Sequence, residues 1–428
     1  MIVATLISLF GLLLLSVPVA VVMGLTGVIL SGMYSFIPAT RGVATIGWQS
    51  MNDAVLVAVP LFVLMGEILL RSGVASRMYG ALSGWLVWLP GGLMHANIAT
   101  STMFAATSGS SVATAATVGT TAIPEIRRHG YHEPLFLGSI AASGTLGILI
   151  PPSINLILYG AMTNTSIPGL YLAGIIPGLG LAVLFSVTVW LSCKLRPEWG
   201  GRRIEVSWRE RLSGLPHLIP PLFIFMLVVG SIYAGWATPT EAAALGVLGA
   251  LFVAALGRSL TKAMLRAAFA GTIRTTGMLM AITTAAYFLN FVFGNIGLTT
   301  SVANFFSDLN LGATGTLLVI IALYLVLGLF METLSLMVAT VPIFTPILVG
   351  LGYDPVWFGI LVILLIETAM ITPPVGVNLF VVQGVRGRGS LSDVVRGVLP
   401  FLGTLLLAIV LIVLFPQIAL MLPNWMQH

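Results

Sequence analysis

A folded chain has to show its solvent a surface that the solvent accepts, and this one has almost nothing with which to face water. Of 428 residues, 18 are Lys or Arg and 13 are Asp or Glu, 7% together, while 58% are hydrophobic. Soluble domains carry roughly 25% charged residues. So long a chain with so little charge has lipid as its solvent. The scarcity runs through the whole length, so no soluble domain is expected. The N-terminal "MIVATLISLFGLLLLSVPVAVVMG" has no basic leader and no clear small-residue cleavage site, and is expected to remain as a span. The single Cys193 excludes an internal disulfide and a cysteine metal cluster. The net charge of +5 would raise nucleic acid as a partner of a soluble protein; in a membrane protein the placement of charge matters more than its sum, and no nucleic-acid partner is expected.

A helix needs about 20 apolar residues to cross the hydrocarbon. Spans are expected near 2–17, 18–38, 54–71, 134–163, 168–194, 216–236, 239–257, 272–296, 356–385 and 393–423. Two apolar stretches, 91–124 and 312–350, are too long for one crossing, and small polar residues interrupt each near its middle. Both are read as re-entrant hairpins that enter and leave on one face. Charge tests that reading. With two hairpins, Arg71, Arg77, Arg127, Arg128, Lys194, Arg196, Arg202, Arg203, Arg209, Arg211, Arg258, Lys262, Arg266, Arg274, Arg386, Arg388 and Arg396 share one side, and only Arg41 falls on the other. The positive-inside rule makes the shared side cytoplasmic and both termini periplasmic. Turning either hairpin into a true span scrambles the pattern.

The halves are alike. Pro18 pairs with Pro239, Gly73 with Gly297, "PPSINL" (151–156) with "PPVGVNL" (373–379), and Pro177 with Pro400, at a nearly constant offset. Two repeats are expected, 1–195 and 216–428, joined by a cytoplasmic linker at 196–215. Each holds five crossings and one hairpin. Five is odd, so the second copy is inverted, and the hairpins open to opposite faces. Inverted repeats with broken helices meeting at mid-membrane are a common plan of secondary transporters.

The chemistry is expected where helices break. The first hairpin centres on Ser108-Gly109-Ser110-Ser111, a poor helix interior because glycine costs roughly 1 kcal/mol there and serine competes for backbone hydrogen bonds. The alternative is a small-residue helix packed closely on its neighbours. The matching centre of the second hairpin places Glu332 opposite Ser108 and Ser335 opposite Ser111. An intramembrane acid is a functional candidate; it is also a natural cap for the second arm, where the helix dipole favours negative charge. In the broken helices 134–163 and 356–385, paired prolines remove donors from carbonyls near Gly144–Ile150 and Ala369–Thr372. A sodium ion satisfies several such oxygens at once. Asn155 and Asn378 follow at matching positions and can bridge the breaks. Among the other buried acids, Glu241 in "TPTEAAALG" reads as a capping residue, while Glu67 and Glu367 have no obvious cationic partner. Trp85, Trp88, Trp236, Trp357 and Trp425 read as interfacial belts. The segments at 72–88 and 298–309 read as interfacial helices that brace a frame.

These motifs resemble the large membrane subunit of the tripartite ATP-independent periplasmic (TRAP) transporters over essentially the whole chain. The resemblance is carried by "SGSSVATAA" (108–116), "GILIPPSINLILYG" (147–160), "TPTEAAALGV" (238–247) and "ITPPVGVNLFVV" (371–382). It implies an all-α polytopic fold of the ion-transporter elevator kind, with two re-entrant hairpins and two broken helices, in a bacterial inner membrane. It implies sodium-coupled uptake of organic anions such as C4-dicarboxylates, sialic acid or keto acids. Two partners follow, a small four-helix membrane subunit and a soluble periplasmic binding protein. By position, one sodium site would use Ser108, Ser110 and Ser111 with Gly144, Gly147 and Pro151. The other would use Glu332 and Thr333 with Thr372, Pro373 and Gly376. The anion would lie between the tips, among Ser108, Gly109, Ser110, Ser111, Asn155, Thr333, Ser335 and Asn378. Three competing readings are a stand-alone dicarboxylate carrier of the same plan, a channel, and an intramembrane serine hydrolase using Ser108 or Ser110. The hydrolase needs a general base. Of His95, His129, His132, His217 and His428, only His95 is a candidate. No filter motif favours a channel, and no Walker-type phosphate loop is present.

Overall fold

The computed structural model describes residues 1–426 apart from 16, 36, 37, 39 and 203. Arg203, expected on the cytoplasmic side, and His428 lie outside the described residues. The chain runs through α1 (Ile2–Leu14), α2 (Val19–Tyr34), α3 (Thr40–Met51), α4 (Ala58–Arg71), α5 (Val74–Leu86), α6 (Leu93–Ser108), α7 (Ser111–His129), α8 (Glu133–Leu149), α9 (Ile154–Thr163) and α10 (Ile167–Leu195). Beyond α10, α11 (Trp208–Gly214), α12 (Ile219–Phe225) and α13 (Ser231–Tyr233) follow one another as a single 26-residue rod, interrupted by tighter and wider turns. Then come α14 (Pro239–Leu256), α15 (Lys262–Ile296), α16 (Leu298–Asp308), α17 (Gly312–Leu327), α18 (Thr333–Gly350), α19 (Pro355–Ile371), α20 (Val377–Arg386), α21 (Leu391–Leu414) and α22 (Gln417–Met426). No β-strand occurs among the described residues.

Among the described residues six helices are long and apolar enough to cross a membrane alone, or eight if each of two bent pairs is one span. The bent pairs are α4 with α5, at 64°, and α8 with α9, at 41°. This is an all-α, multi-pass membrane protein. Several expected boundaries move. The span expected at 272–296 begins at Lys262, and the one expected at 393–423 divides into α21 and α22. A helix, α3, fills a stretch where none was expected; its polar composition hid it, and it packs on α15. Trp357 does not sit in an interfacial belt. It is 2% exposed, and its Nε1 donates to the Ile412 carbonyl at 3.0 Å, because α19 is buried on every side. Trp88, Trp236 and Trp425 are exposed. Glu241 caps α14 in a reciprocal box: its carboxylate accepts from Thr238 N–H and Oγ1, both at 2.8 Å.

The helices pack in two groups. α4 packs on α14 and α15, and α15 on α2 and α3. The other group gathers around α8 and α19, whose residues 135–149 and 357–371 are buried throughout. Helices apolar on every face are what a core position requires. α8 lies against α21 backbone to backbone: a Cβ on Gly138 would fall 2.0 Å from the Gly397 carbonyl oxygen, and one on Gly397 would fall 1.7 Å from that of Pro134. Only glycine permits that approach. At one end Arg386 ties α20 to α8 and α21, donating to Glu133 at 3.0 Å and Asp393 at 2.9 Å.

Both expected hairpins turn back. Asn97 Nδ2 donates to Ser139 Oγ at 2.9 Å, and Ser101 Oγ lies 2.8 Å from Ser143 Oγ, so α6 runs parallel to α8. α7 runs the opposite way along the same stretch: the Ser110 carbonyl abuts Gly147, Ala115 abuts Gly144, and Gly119 abuts Ile140. α6 and α7 are therefore antiparallel, with their turn at 109–110. In the second hairpin Thr340 Oγ1 donates to Tyr324 Oη at 2.6 Å. In one continuous helix those residues would stand about 24 Å apart.

Candidate functional site

The first tip reverses the chain in two residues. Gly109 takes φ +59°, the left-handed turn that ends α6. Ser110 is extended (φ −135°, ψ 123°) and caps α7, its hydroxyl accepting from Ala113 N–H at 3.3 Å. Ser108 Oγ lies 2.9 Å from Thr114 Oγ1, joining the two arms. A Cβ on Gly109 would stand 2.9 Å from the Pro152 carbonyl oxygen, which seats the tip directly on the break between α8 and α9.

The second tip turns through 328–332, and Glu332 caps α18. Its Oε2 accepts from Leu334 N–H at 3.2 Å, Ser335 N–H at 3.4 Å and Ser335 Oγ at 3.2 Å. Thr333 Oγ1 points at Met370 Sδ, beside the break between α19 and α20.

Each break frees carbonyls. Pro151 and Pro152 have no N–H for the carbonyls of Gly147 and Ile148. The Ser153 hydroxyl takes up the oxygen of Ile148, and that of Gly147 loses its helical donor. Pro373 and Pro374 act likewise on Ala369 and Met370. Thr372 N–H reaches back to Ala369 at 3.4 Å, and the Met370 carbonyl is left without its helical donor. Gly376 N–H closes on the Thr372 carbonyl at 3.0 Å. Pro151-Pro152 and Pro373-Pro374 are both cis.

The two tips face one cavity of ≈ 300 Å³. Residues 108–113 of the first tip and 332–334 of the second line it, with Ile148, Ile154, Asn155 and Met370 from the breaks. The opposite wall comes from α4 (Val63, Gly66, Glu67, Leu70) and α15 (Thr275, Met278, Leu279). The Ser108 carbonyl oxygen approaches Gly66 so closely that a Cβ there would lie 3.0 Å away. Glu67 pairs with Arg71 at 2.7 Å.

The expected site residues thus divide. Ser108, Gly109, Ser110, Ser111, Asn155, Glu332 and Thr333 meet on the cavity wall. Ser335 and Asn378 stand behind it, fully buried. Asn378 Nδ2 donates to Ser111 Oγ at 2.7 Å and to the Ala141 carbonyl at 3.0 Å, joining α20 to α7 and α8. Gly144, Gly147, Pro151, Thr372, Pro373 and Gly376 shape the breaks without reaching the wall. Gly144 accommodates Ala115, and Thr372 Oγ1 donates to the Thr368 carbonyl at 2.6 Å. Sequence reasoning missed the wall from α4 and α15. Its one signal was Glu67, an acid inside an apolar span. Glu367 is fully buried away from the cavity. His95 sits at the far end of α6, bonded to the Pro90 carbonyl at 2.9 Å and about 20 Å along the helix from Ser108, so it cannot serve as a base for the tip serines.

Interrupted helices and turned-back tips around a solute-sized cavity, in a chain built for lipid, define a membrane transport protein. Residues 6–418 match the family described as the DctM component of the tripartite ATP-independent periplasmic transporters, and the chain belongs to that family. It is 35% identical to the C4-dicarboxylate TRAP transporter large permease protein DctM of Pseudomonas aeruginosa, over 94% of each chain. It is 34% identical to the sialic acid large permease SiaM of Vibrio cholerae, over 87% of each. With the ectoine large permease TeaC of Halomonas elongata the identity is 32%, over 97% of each. The fold also resembles that of the Alcanivorax borkumensis YdaH transporter, with a TM-score of 0.61 at 16% identity, covering 96% of this chain and 98% of that one. The chain is a TRAP transporter large permease, a transport subunit and not an enzyme.

Proposed function

We propose that this permease takes up small organic anions across the bacterial inner membrane, driven by sodium, by an elevator movement. A periplasmic binding protein delivers the anion, and a small four-helix subunit completes the complex. The observation that carries this reading is the single cavity shared by both hairpin tips and Asn155. The hairpins and broken helices form the moving body; α4 and α15, which close the cavity from the other packed group, belong to the frame. The sequence offset between the halves and the reciprocal packing of α9 on α18 and α19, and of α20 on α7 and α8, support two inverted repeats at 1–195 and 216–428. The positive-inside count supports periplasmic termini.

Sodium is assigned where hard oxygens gather. One ion takes the hydroxyls and carbonyls of Ser108, Ser110 and Ser111 with the break after Gly144. The other takes Glu332 and Thr333 with the break at Thr372–Gly376. Unwound backbone of this kind coordinates sodium in other secondary transporters. The anion lies between them, held by neutral donors. A permanent buried arginine would instead leave the empty carrier cationic and costly to return.

Uptake into proteoliposomes tests the assignment. Ser110→Ala and Thr372→Ala are each expected to raise the sodium concentration for half-maximal uptake. Unchanged sodium dependence in both removes the ion assignment. Uptake by the chain alone, with no binding protein or small subunit, would replace the tripartite reading with that of a stand-alone carrier.

A further inference from the structure

The fixed wall of the cavity carries one charged side chain, and it is already paired. Of the wall residues that α4 and α15 supply, only Glu67 is ionisable. Its carboxylate meets Arg71, one helical turn on, at 2.7 Å. Arg71 has no other ion-pair partner among the described residues. α15 presses on the acid at Gly271, where a Cβ would fall 2.6 Å from Glu67 Oε2 and 2.7 Å from Oε1. The carboxylate is boxed in. The freer partner is the arginine, whose side chain is 32% exposed against 19% for the acid.

The pair has a definite place along the path. Val63, Gly66, Glu67 and Leu70 line the cavity in that order along α4, and Arg71 ends the helix just beyond them. Charge segregation puts Arg71 on the cytoplasmic side. α15 starts on that side at Lys262, meets Glu67 at Gly271, and only then lines the cavity with Thr275, Met278 and Leu279. Both helices therefore place the pair at the cytoplasmic rim.

An anion leaving the tips for the cytoplasm passes this rim. Glu67 alone would repel it, and Arg71 alone would hold it. An ion pair with this much exposure is weak, because water screens both charges. One carboxylate can then replace another on the guanidinium at little cost, and the planar fork of guanidinium donors matches a carboxylate. A buried arginine on the moving body would travel back cationic when empty. Arg71 does not travel, because α4 belongs to the frame, and Glu67 neutralises it when no cargo is present.

We propose that Arg71 receives the carboxylate of the departing anion at the cytoplasmic rim, and that Glu67 competes for the same guanidinium and so releases the cargo. This rests on the cavity being the cargo site, as proposed above.

The test is uptake of labelled succinate, pyruvate and N-acetylneuraminate into proteoliposomes holding the permease and its small subunit. The binding protein is added outside only, so that one orientation works. The same anion is loaded inside at graded concentrations, and the internal concentration that halves uptake reports binding from the cytoplasmic face. Arg71→Gln is expected to raise that concentration about tenfold, the effect of one charge-assisted hydrogen bond. Glu67→Gln removes the competitor and is expected to lower it about tenfold and to slow uptake. Arg71→Lys keeps the charge and is expected to stay within about threefold of wild type. The external concentration for half-maximal uptake is expected to stay within about twofold in all three. An unchanged internal concentration in Glu67→Gln overturns the proposal, and that variant decides alone should Arg71→Gln not fold. Equal shifts on the two faces also overturn it, since they would make the pair a brace of the frame and nothing more. If the wild-type protein takes up none of these anions, the carrier reading itself fails, and this inference with it.

Discussion

The two hairpin tips solve one problem with opposite electrostatics. Each reverses the chain and starts a helix whose first amides need acceptors. The first tip uses a left-handed glycine and a serine cap, and stays neutral. The second uses an acidic cap whose carboxylate serves two amides and a hydroxyl. The asparagines that follow the breaks diverge in parallel: Asn378 stitches α20 to the first hairpin, while Asn155 Nδ2 is enclosed without a partner. A shared backbone plan thus carries a neutral tip in one half and an acidic tip in the other. The chemistry of a repeat is set by its caps more than by its helices.

The sharpest way to break this contrast is to neutralise the acidic cap. Glu332→Ala strips the acceptor from three donors at a buried tip; sodium-driven uptake is expected to fall about a hundredfold. Glu332→Gln keeps an acceptor, so it should hold its thermal midpoint close to wild type and raise only the half-saturating sodium concentration. Equal behaviour of the two variants would mean that the carboxylate serves the fold alone.

Next comes the turn itself. Gly109→Ala places a side chain at φ +59° and against the Pro152 carbonyl, at a cost of about 1–2 kcal/mol that should appear as a lowered unfolding midpoint and weaker uptake. An unchanged midpoint would mean that the first tip does not depend on this turn. The asparagines then separate a paired buried donor from an unpaired one. Asn378→Ala leaves the Ser111 hydroxyl and Ala141 carbonyl without their partner and should cost roughly 1–3 kcal/mol of stability. Asn155→Ala should leave stability unaltered or slightly raised, since it removes an unpaired buried donor. Similar unfolding curves for the two would erase the distinction drawn between them. The smallest effect is expected of Ser110→Ala, which removes a neutral cap worth about 1 kcal/mol and should shift half-saturating sodium a few-fold.

Much of this was legible without coordinates. The hairpin turns were marked by Ser108–Ser111 and Glu332–Ser335, because small polar residues interrupt apolar stretches too long for one crossing. The Pro-Pro pairs marked the breaks, because proline carries no N–H. Reading Glu241 as a cap needed only its distance from Thr238. Other features stayed hidden because they depend on non-local contacts. Trp357 looks interfacial until α19 is seen to be enclosed. α3 is too polar to register as a span and takes its place by packing on α15. Ser335 and Asn378 matched Ser111 and Asn155 by position, yet they lie behind the wall that Ser111 and Asn155 line.

Composition and charge spacing by themselves determined the lipid solvent, the two turned-back segments and the positions of the helix breaks. Each follows from a local rule: too little charge for water, too many apolar residues for one crossing, no donor on proline. Tertiary structure alone decided which donors are paired and which remain unpaired. Pairing is a property of neighbours, and the partners of Asn378 (Ser111 and the Ala141 carbonyl) come from helices far along the chain.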